Sequence, residues 1–425
     1  MKRFLLLLLL SVPVFLLAQS AMSLDDCIRL AYKQNPAVRN GVIGIKETKA
    51  DYIASVGAFL PHIVVNAETG KRFGRSLDPD TNGYTSESFE EGTVGLDMTL
   101  SLFEGFSRIN QVRFRKMNKE RSEWELKEKQ NELAYQVTDA YYKLILERKL
   151  LDLALEQSRL SERYLKQTEV FVELGLKSAS DLQEVKARRE GDIYRYQSRG
   201  NSSRIALLHL KQLMNIQPGD TLAILDTITA SQLPPYSVST VEILPSIRMI
   251  DLKQKAAHKE YAIAGGAFSP SVFARFTVGS NYYNTAFSAR QLRDNIGKYV
   301  GVGISFPLLS GLQRLTNQRK LKLNMYRLKN EEELEKQQLY TDIEQTLLSL
   351  HTGYSEHQQA LSQLDAETLV LKESERKWEE GLISVFQLME ARNRFIAAKA
   401  ELVRVRLQIE MMMKLEKYYR QGTFL

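Results

Sequence analysis

The chain has only one cysteine among its 425 residues, which excludes an internal disulfide framework and any zinc or iron–sulfur site built from several cysteines. Long apolar runs are also scarce: one lies at the start, whereas a helical membrane protein needs about 20 consecutive apolar residues for every span. Disorder is disfavoured, because 17 Phe and 19 Tyr residues can build cores. A net charge of +7 and a mean hydropathy of −0.29 describe, on average, an ordinary soluble protein with room for two or three domains.

The early apolar run has the pattern of an export signal. Lys2 and Arg3 precede an apolar stretch over residues 4–17, and Ala18 is a small residue at which a signal peptidase can cut. We therefore predict a signal peptide over residues 1–18, whose removal would take the net charge from +7 to +5. A retained membrane anchor is the alternative. We expect Cys27 to pack in a helix, because two acidic neighbours do not suit a lipoprotein cleavage site.

Proline is missing between Pro79 and Pro218 and again after Pro307. Residues 106–174 also lack glycine, and residues 312–380 contain only Gly353. Because proline breaks helix interiors, both stretches predict very long helices, each about 100 Å at 1.5 Å per residue. The first carries a heptad seam of apolar residues: Leu133, Val137, Ala140, Leu144, Leu151 and Leu155.

These stretches belong to a tandem repeat. Gly105 and Gly175 have counterparts 206 residues later at Gly311 and Gly381, and upstream residues match with a shift of 209. We predict a first repeat over residues 19–216, a linker over residues 217–239 and a second repeat over residues 240–425. Each repeat is expected to contain a helix of about 36 residues, two strands, a long helix and a second shorter helix.

Apolar and small or polar residues alternate strictly over residues 94–102 and again over residues 300–308. A transmembrane β-strand has this length and period, and so does a half-buried strand of a soluble sheet. Weaker partner strands are expected over residues 63–69 and 272–278. Four strands cannot close a barrel, so strands that enter a membrane must share a barrel with other chains.

The duplicated order and two turn sequences, GLKSASDL at residues 175–182 and GLISVFQL at residues 381–388, resemble the outer membrane factor family. These are the TolC-like exit ducts of bacterial efflux pumps and type I secretion systems. The start at residues 24–36 is also similar, and the loop over residues 73–79 is similar to that of members from the Bacteroidota. The resemblance implies a mainly α-helical chain with transmembrane β-strands. Its homotrimer would form a 12-stranded outer-membrane β-barrel that continues into a periplasmic α-helical barrel.

The family implies a periplasmic adaptor (membrane fusion) protein and an inner-membrane transporter of RND, ABC or MFS type as partners. The competing hypothesis is a periplasmic coiled-coil adaptor without a barrel. We expect no enzyme activity, cofactor, metal site or nucleic-acid partner, because the five histidines show no metal-ligand spacing and no nucleophile is evident. The sequence DPDTNG at residues 78–83 begins like a calcium loop but lacks its twelfth ligand, so we interpret it as a turn.

The two turns are the candidate functional sites. Glycine allows the chain to leave a long helix, and Ser178 and Ser384 are placed to cap the next one, which is the purely structural interpretation. The resemblance adds a periplasmic gate: the family's acidic ring falls on Gln387 and Glu390, and its closing contacts fall on Asp181, Trp378 and Ile383. An isoleucine at 383 excludes a salt-bridge latch there. Our hypothesis is a cation-selective constriction set by Asp181, Glu184 and Glu390, with adaptor-contact tips at Gly175, Leu176, Ser178, Gly381, Leu382 and Ser384.

Basic residues follow the last strand of each repeat, at helix starts where cations oppose the helix dipole. They are Arg108, Arg113, Arg115 and Lys116 in the first repeat and Arg314, Arg319, Lys320 and Lys322 in the second. We predict that they form a collar that meets lipid phosphates at the periplasmic face of the outer membrane. A solvated helix face is the alternative.

Overall fold

The computed structural model describes residues 21–77, 82–86, 88–226, 241–284, 286–308 and 311–425. The predicted signal peptide, the part of the predicted linker from residue 227 to residue 239, and most of the calcium-like loop lie outside these ranges. In chain order, the first repeat contains α1 (Leu24–Gln34), α2 (Pro36–Gly57), β1 (His62–Arg72), β2 (Ser76–Leu77), β3 (Tyr84–Thr85), β4 (Phe89–Glu104), α3 (Ser107–Glu173) and α4 (Ala179–Leu213). The second contains a 3₁₀ turn (Val241–Ile243), α5 (Pro245–Gly266), β5 (Ser271–Asn284), α6 (Ala289–Asp294), β6 (Gly297–Ser305), α7 (Gln313–Glu379) and α8 (Val385–Gln421).

The helices reproduce the predicted duplication. The long helices α3 and α7 have 67 residues each, and α2 and α5 have 22 each. Helix α7 starts 206 residues after α3, and α5 starts 209 residues after α2. The order of two strands, a long helix and a shorter helix is confirmed in both repeats, and with it the mainly α-helical fold class.

Two predicted boundaries were wrong. The first helix is interrupted at Asn35, whose ψ of 128° is extended, because the residue before a proline disfavours the α region. The last strand was expected to reach Leu308, but β6 ends at Ser305. Pro307 has no N–H to donate to a neighbouring strand, so it cannot continue the ladder.

The strands form one antiparallel sheet in the order β1-β4-β5-β6, with a separate β2–β3 hairpin. The register places Val65, Leu96 and Val278 side by side, and Phe276 opposite Val300. Because side chains alternate along a strand, these residues share one apolar face, and Asp97 and Arg275 lie on the other. Arg275 donates to Asp97 at 3.1 Å on that polar face.

Two compact units make up the chain, and each takes segments from both repeats. One contains the sheet and its flanking helical segments (residues 41–126 and 245–337). The other contains the described residues of the ranges 21–40, 127–244 and 338–425, and its core includes the heptad-seam residues Leu133, Val137, Ala140 and Leu144, all at most 5% exposed. Cys27 is fully buried in α1, as predicted, and burial raises the pKa of its thiol to about 12. Across the described ranges, no helix combines the length and apolarity that a membrane crossing requires.

Candidate gate at the helical tips

Each long helix ends in the same tight turn. Gly175 and Gly381 have φ angles of +73° and +75°, a left-handed conformation that glycine adopts without steric cost. After Gly175, the Leu176 N–H donates back to the Phe171 carbonyl at 2.8 Å. Leu382 makes the same 2.8 Å bond to Lys377. The turn geometry therefore follows from the glycine, as the sequence indicated.

Both predicted serine caps are confirmed. Ser178 accepts from the Asp181 N–H at 3.1 Å, and Asp181 accepts from the Ser178 N–H at 2.9 Å, which completes a capping box. Hydrogen bonds from the Ser178 backbone and hydroxyl lower the pKa of the Asp181 carboxyl. Ser384 and Gln387 form the same box at the start of α8. The Asp181 carboxylate is therefore engaged in capping the start of α4.

Trp378 is buried where helices of the two repeats pack against each other. It is 1% exposed and clusters with Val185, Val385 and Leu388. The Tyr164 ring meets the indole edge-on at 5.3 Å between centroids. Ile383, the other apolar residue of the predicted closing contacts, packs on the same cluster. This cluster joins the tips of α3, α4, α7 and α8 within one chain.

The predicted acids differ in their partners. Glu390 is exposed and pairs with Arg394 at 3.2 Å, one helical turn along α8. Glu184, its counterpart in the first repeat, is exposed and has no hydrogen-bonding or ionic partner among the described residues. The corresponding Arg188 turns instead toward Asn393 and Asp192. Glu184 is therefore the less neutralised of the two acids.

Apolar side chains project from the predicted adaptor-contact tips. Leu176 is 66% exposed and Leu382 is 68% exposed, and Phe386 beside the second turn is also exposed. The equivalent leucines follow equivalent glycines, so the two repeats present similar apolar tips. Solvent-exposed leucines at matched positions are consistent with a protein-binding surface.

The sequence did not predict a buried polar cluster that lies near the tips. Asp192 of α4 is 1% exposed and accepts from Gln157 Nε2 at 2.9 Å, from Arg195 at 2.6 Å and from the Ser161 hydroxyl. Arg392 of α8 is 2% exposed and donates to the Gln157 carbonyl at 2.8 Å. Its Nε and Nη1 have no hydrogen-bond partner in the part of the chain that the structure describes, and burial lowers the pKa of its guanidinium.

A comparison of the repeats could have revealed this cluster. With the shift of 206, Asp192 corresponds to Ala398, which is equally buried, and Arg392 corresponds to the exposed Lys186. A position that is apolar in one copy and acidic in the other indicates a buried charge that only one repeat needs.

Half of the predicted collar residues have an ionic or hydrogen-bonding partner among the described residues, and half have no ionic partner there. Arg108 binds Glu104 at 3.0 Å, Arg115 binds Asp51 at 2.8 Å, and Lys116 approaches Glu120 at 3.9 Å. In the second repeat, Arg314 donates to the Pro307 carbonyl at 3.4 Å. The remaining four are exposed and have no ionic partner within the described part of the chain: Arg113, Arg319, Lys320 and Lys322. Within that part, no group of His, Cys, Asp or Glu residues is arranged to hold a metal ion.

The model of the outer membrane efflux protein family matches residues 27–215 and 242–411, one segment in each repeat. The chain therefore belongs to the outer membrane efflux protein family. Its members are channels of the outer membrane and not enzymes, so this chain is an exit duct for efflux across that membrane. Its apolar sheet face belongs to a transmembrane barrel, and its long helices belong to a periplasmic tunnel. The alternative of an adaptor without a barrel is set aside.

Solved structures share this fold. The CmeC outer membrane channel of Campylobacter jejuni superimposes with a TM-score of 0.83 at 15% identity, covering 94% of this chain and 85% of that one. VceC of Vibrio cholerae gives 0.79 at 14% identity, with 95% and 97% coverage. The open-state MtrE channel of Neisseria gonorrhoeae gives 0.78 at 18% identity, with 95% and 89% coverage. A comparison with curated proteins finds no match.

Proposed function

We propose that three copies of this chain form one duct, with a 12-stranded barrel, a gate at the helical tips, and an adaptor and transporter as partners. The observation that carries the shared barrel is that the sheet has two open edges among the described residues. Strands β1 and β6 each have one neighbour within the chain. An open edge cannot remain unpaired in lipid, so β6 of one copy must meet β1 of the next.

The repeat predicts which residues face each other where these two edges meet. Inside the chain, Gly95 of β4 lies opposite Gly279 of β5. Applying the shifts of 206 and 209 places Gly301 of β6 opposite Gly70 of the next copy. Both positions are again glycine. Within the chain, Gly301 lies opposite Arg275 and Gly70 opposite Glu91, and the Tyr299 side chain lies over Gly301. The contact between copies thus repeats the contact inside one copy.

Cysteine cross-linking tests this arrangement. We expect the double variant Gly70→Cys/Gly301→Cys to form covalent trimers on oxidation, because the two residues would face each other across the interface between copies. Gly95→Cys/Gly279→Cys is the matched control, and it should close a disulfide within one chain and stay monomeric on a denaturing gel. The native Cys27 is buried and should not interfere. Cross-linked ladders beyond three copies, or no cross-link while the control closes, would contradict the trimer.

We propose that the acids at the tips make the closed duct cation-selective, with Glu184 contributing more than Glu390. Three copies of an acid near a common axis raise the local cation concentration. Glu184 has no neutralising partner among the described residues, whereas Glu390 shares its charge with Arg394 and Asp181 is held in its cap. Gln387 cannot add charge, but it caps α8.

Currents through single trimers in a planar bilayer test the assignment. We expect Glu184→Gln to reduce the preference for K⁺ over Cl⁻ and the block by divalent cations several-fold. Glu390→Gln should have a smaller effect, because its charge is already partly neutralised. Ser178→Ala weakens the same cap without removing a charge, so it controls for a general change in the turn. Unchanged selectivity in Glu184→Gln, or a larger loss in Glu390→Gln, would refute this assignment.

The partner proposal rests on the exposed tips. Leu176 and Leu382, with Gly175, Gly381 and the capping serines, would dock an adaptor, which in turn would connect the duct to an RND, ABC or MFS transporter. The four unpaired collar cations would meet lipid phosphates at the periplasmic face of the membrane.

A further inference from the structure

A short helix covers part of the apolar face of the sheet. Helix α6 lies between β5 and β6, and several hydrogen bonds hold its segment against β5. The Tyr283 N–H donates to Gln291 Oε1 at 2.9 Å, and Asn295 donates to the Asn281 carbonyl at 2.9 Å. Ser280 donates to the Leu292 carbonyl. The segment is therefore a fixed part of this end of the sheet.

The helix leaves an apolar cavity beneath it. This cavity of 350 Å³ is lined by the apolar-face residues Val65, Val94, Leu96 and Val278, by Gly95, Gly279 and Ser280, and by Leu292 and Ile296 from the α6 segment. A second cavity of 290 Å³ shares Val94 and Leu292 with it and extends toward Tyr282 and Phe287. With one hydroxyl among side chains that are otherwise apolar, the larger cavity suits a hydrocarbon chain.

The position of the cavity along the strands sets its depth in the membrane. Strand β4 ends at Glu104, where the chain turns into the periplasmic helix α3. A membrane-spanning strand needs about 9–11 residues, so counting back from Glu104 places Val94 and Leu96 near the opposite surface of the bilayer. The cavity is therefore at the level of the outer leaflet. The apolar side chains of Phe287 and Ile296 are exposed here, at the depth where the aromatic side chains of membrane barrels meet lipid.

Cations adjoin the residues that line the cavity: Arg293 follows Leu292 in the chain, and Lys298 lies opposite Val278 in the sheet. The side chains of Arg290 and Arg293 are 86% and 77% exposed, and both approach Asp294, at 3.5 and 3.3 Å. Lys298 is exposed and has no ionic partner among the described residues. Within residues 289–298, Asp294 is thus the one acid against three cations, a net charge of +2 in the segment that covers the cavity. Charges at the edge of hydrocarbon are costly unless an anion or water meets them, and a lipid phosphate at this depth would do so.

We propose that the α6 segment and the apolar sheet face bind a phosphorylated, acylated lipid of the outer leaflet. One acyl chain occupies the cavity under α6, and the phosphate contacts Arg290, Arg293 and Lys298. A trimer carries three such sites. This inference rests on the membrane placement of the sheet and is independent of the gate.

Native mass spectrometry of the full-length trimer in mild detergent tests the site, with diphosphorylated lipid A as the probe. We expect up to three lipids per trimer. Arg290→Gln/Arg293→Gln/Lys298→Gln should weaken retention at least tenfold by removing the phosphate contacts. Val94→Trp should weaken it similarly by filling the cavity while leaving the charges in place. The matched control is Lys166→Gln/Lys186→Gln/Arg204→Gln, which removes three exposed cations from α3 and α4 and should retain the lipid.

Each remaining outcome counts against the site. The site is overturned if the triple variant at 290, 293 and 298 or Val94→Trp retains as much lipid as the unaltered trimer. It is also overturned if the unaltered trimer retains no lipid. Equal binding of dephosphorylated lipid A, or displacement by inorganic phosphate at millimolar concentration, removes the claim that a lipid phosphate is recognised. Pairing of trimers through this face, detected as a doubled mass, would assign the cavity to a second copy. Intact Gly70–Gly301 cross-linking alongside any of these results would show that only this inference has failed.

Discussion

Replacing Asp192 by alanine should lower the stability of the helical unit by about 3 kcal/mol or more, because it removes the anion of a buried polar cluster. The carboxylate accepts from Gln157 and Arg195 and stands 3.8 Å from Arg188. Without it, the Gln157 amide and the Ser161 hydroxyl lose a buried partner, and unpaired buried polar groups are expensive. Asp192→Asn keeps the shape and one acceptor, so we expect an intermediate loss.

Thermal unfolding of the full-length trimer in detergent, followed by helical circular dichroism, measures this effect. Arg392→Met is the informative control. Among the described residues, two nitrogen atoms of that guanidinium have no hydrogen-bond partner, so exchanging it for an apolar chain of similar length should cost little. The expectation fails if Asp192→Ala melts with the unaltered protein, or if Arg392→Met is as destabilising as Asp192→Ala.

Replacing Gly105 by alanine should prevent correct folding where β4 passes into α3. Gly105 has a φ of +58°, which already costs a residue with a side chain about 1–2 kcal/mol. An added Cβ would also lie 2.6 Å from the Gly266 carbonyl oxygen and 2.6 Å from Ser269 Cβ. The backbones of the two repeats touch here, so there is no space for a methyl group.

Gly311 provides a matched control for this substitution. It has nearly the same φ, +61°, yet no described residue of its own chain lies within 4 Å of an added Cβ. Gly311→Ala should therefore cost only the backbone strain in a single chain. In the trimer, the repeat would place Gly57 of the next copy against Gly311, as Gly266 lies against Gly105. We expect Gly311→Ala to yield folded chains that fail to form trimers resistant to detergent, whereas Gly105→Ala yields little folded protein. Equal behaviour of the two variants would contradict this account.

The sequence predicted the features that depend on local chemistry and on the repeat. Missing proline and glycine defined α3 and α7, Gly175 and Gly381 marked their ends, and the serines after them are caps. The predicted first helix was too long because Asn35 precedes a proline, which disfavours the α region at that residue.

Contacts between polar faces could not be predicted in the same way. Asp192 and Gln157 lie on different helices, and periodicity gives each helix a polar side without saying that two such sides meet. Helix α6 is only six residues long, too short for any periodic pattern to identify. The site proposed beside it therefore depends on tertiary placement, whereas the tips depend on residues adjacent in the chain.

The matched helices also limit how the length of this chain can change. Helices α3 and α7 are equal at 67 residues, and the repeat shift changes from 209 to 206 only between the strands, where the two connecting loops differ. Four residues inserted into α3 alone would move its turn by about 6 Å from the counterpart in α7 and take Trp378 out of register with Tyr164. A longer or shorter duct therefore requires the same insertion or deletion in both repeats, while the loops beyond the barrel can gain or lose residues one copy at a time.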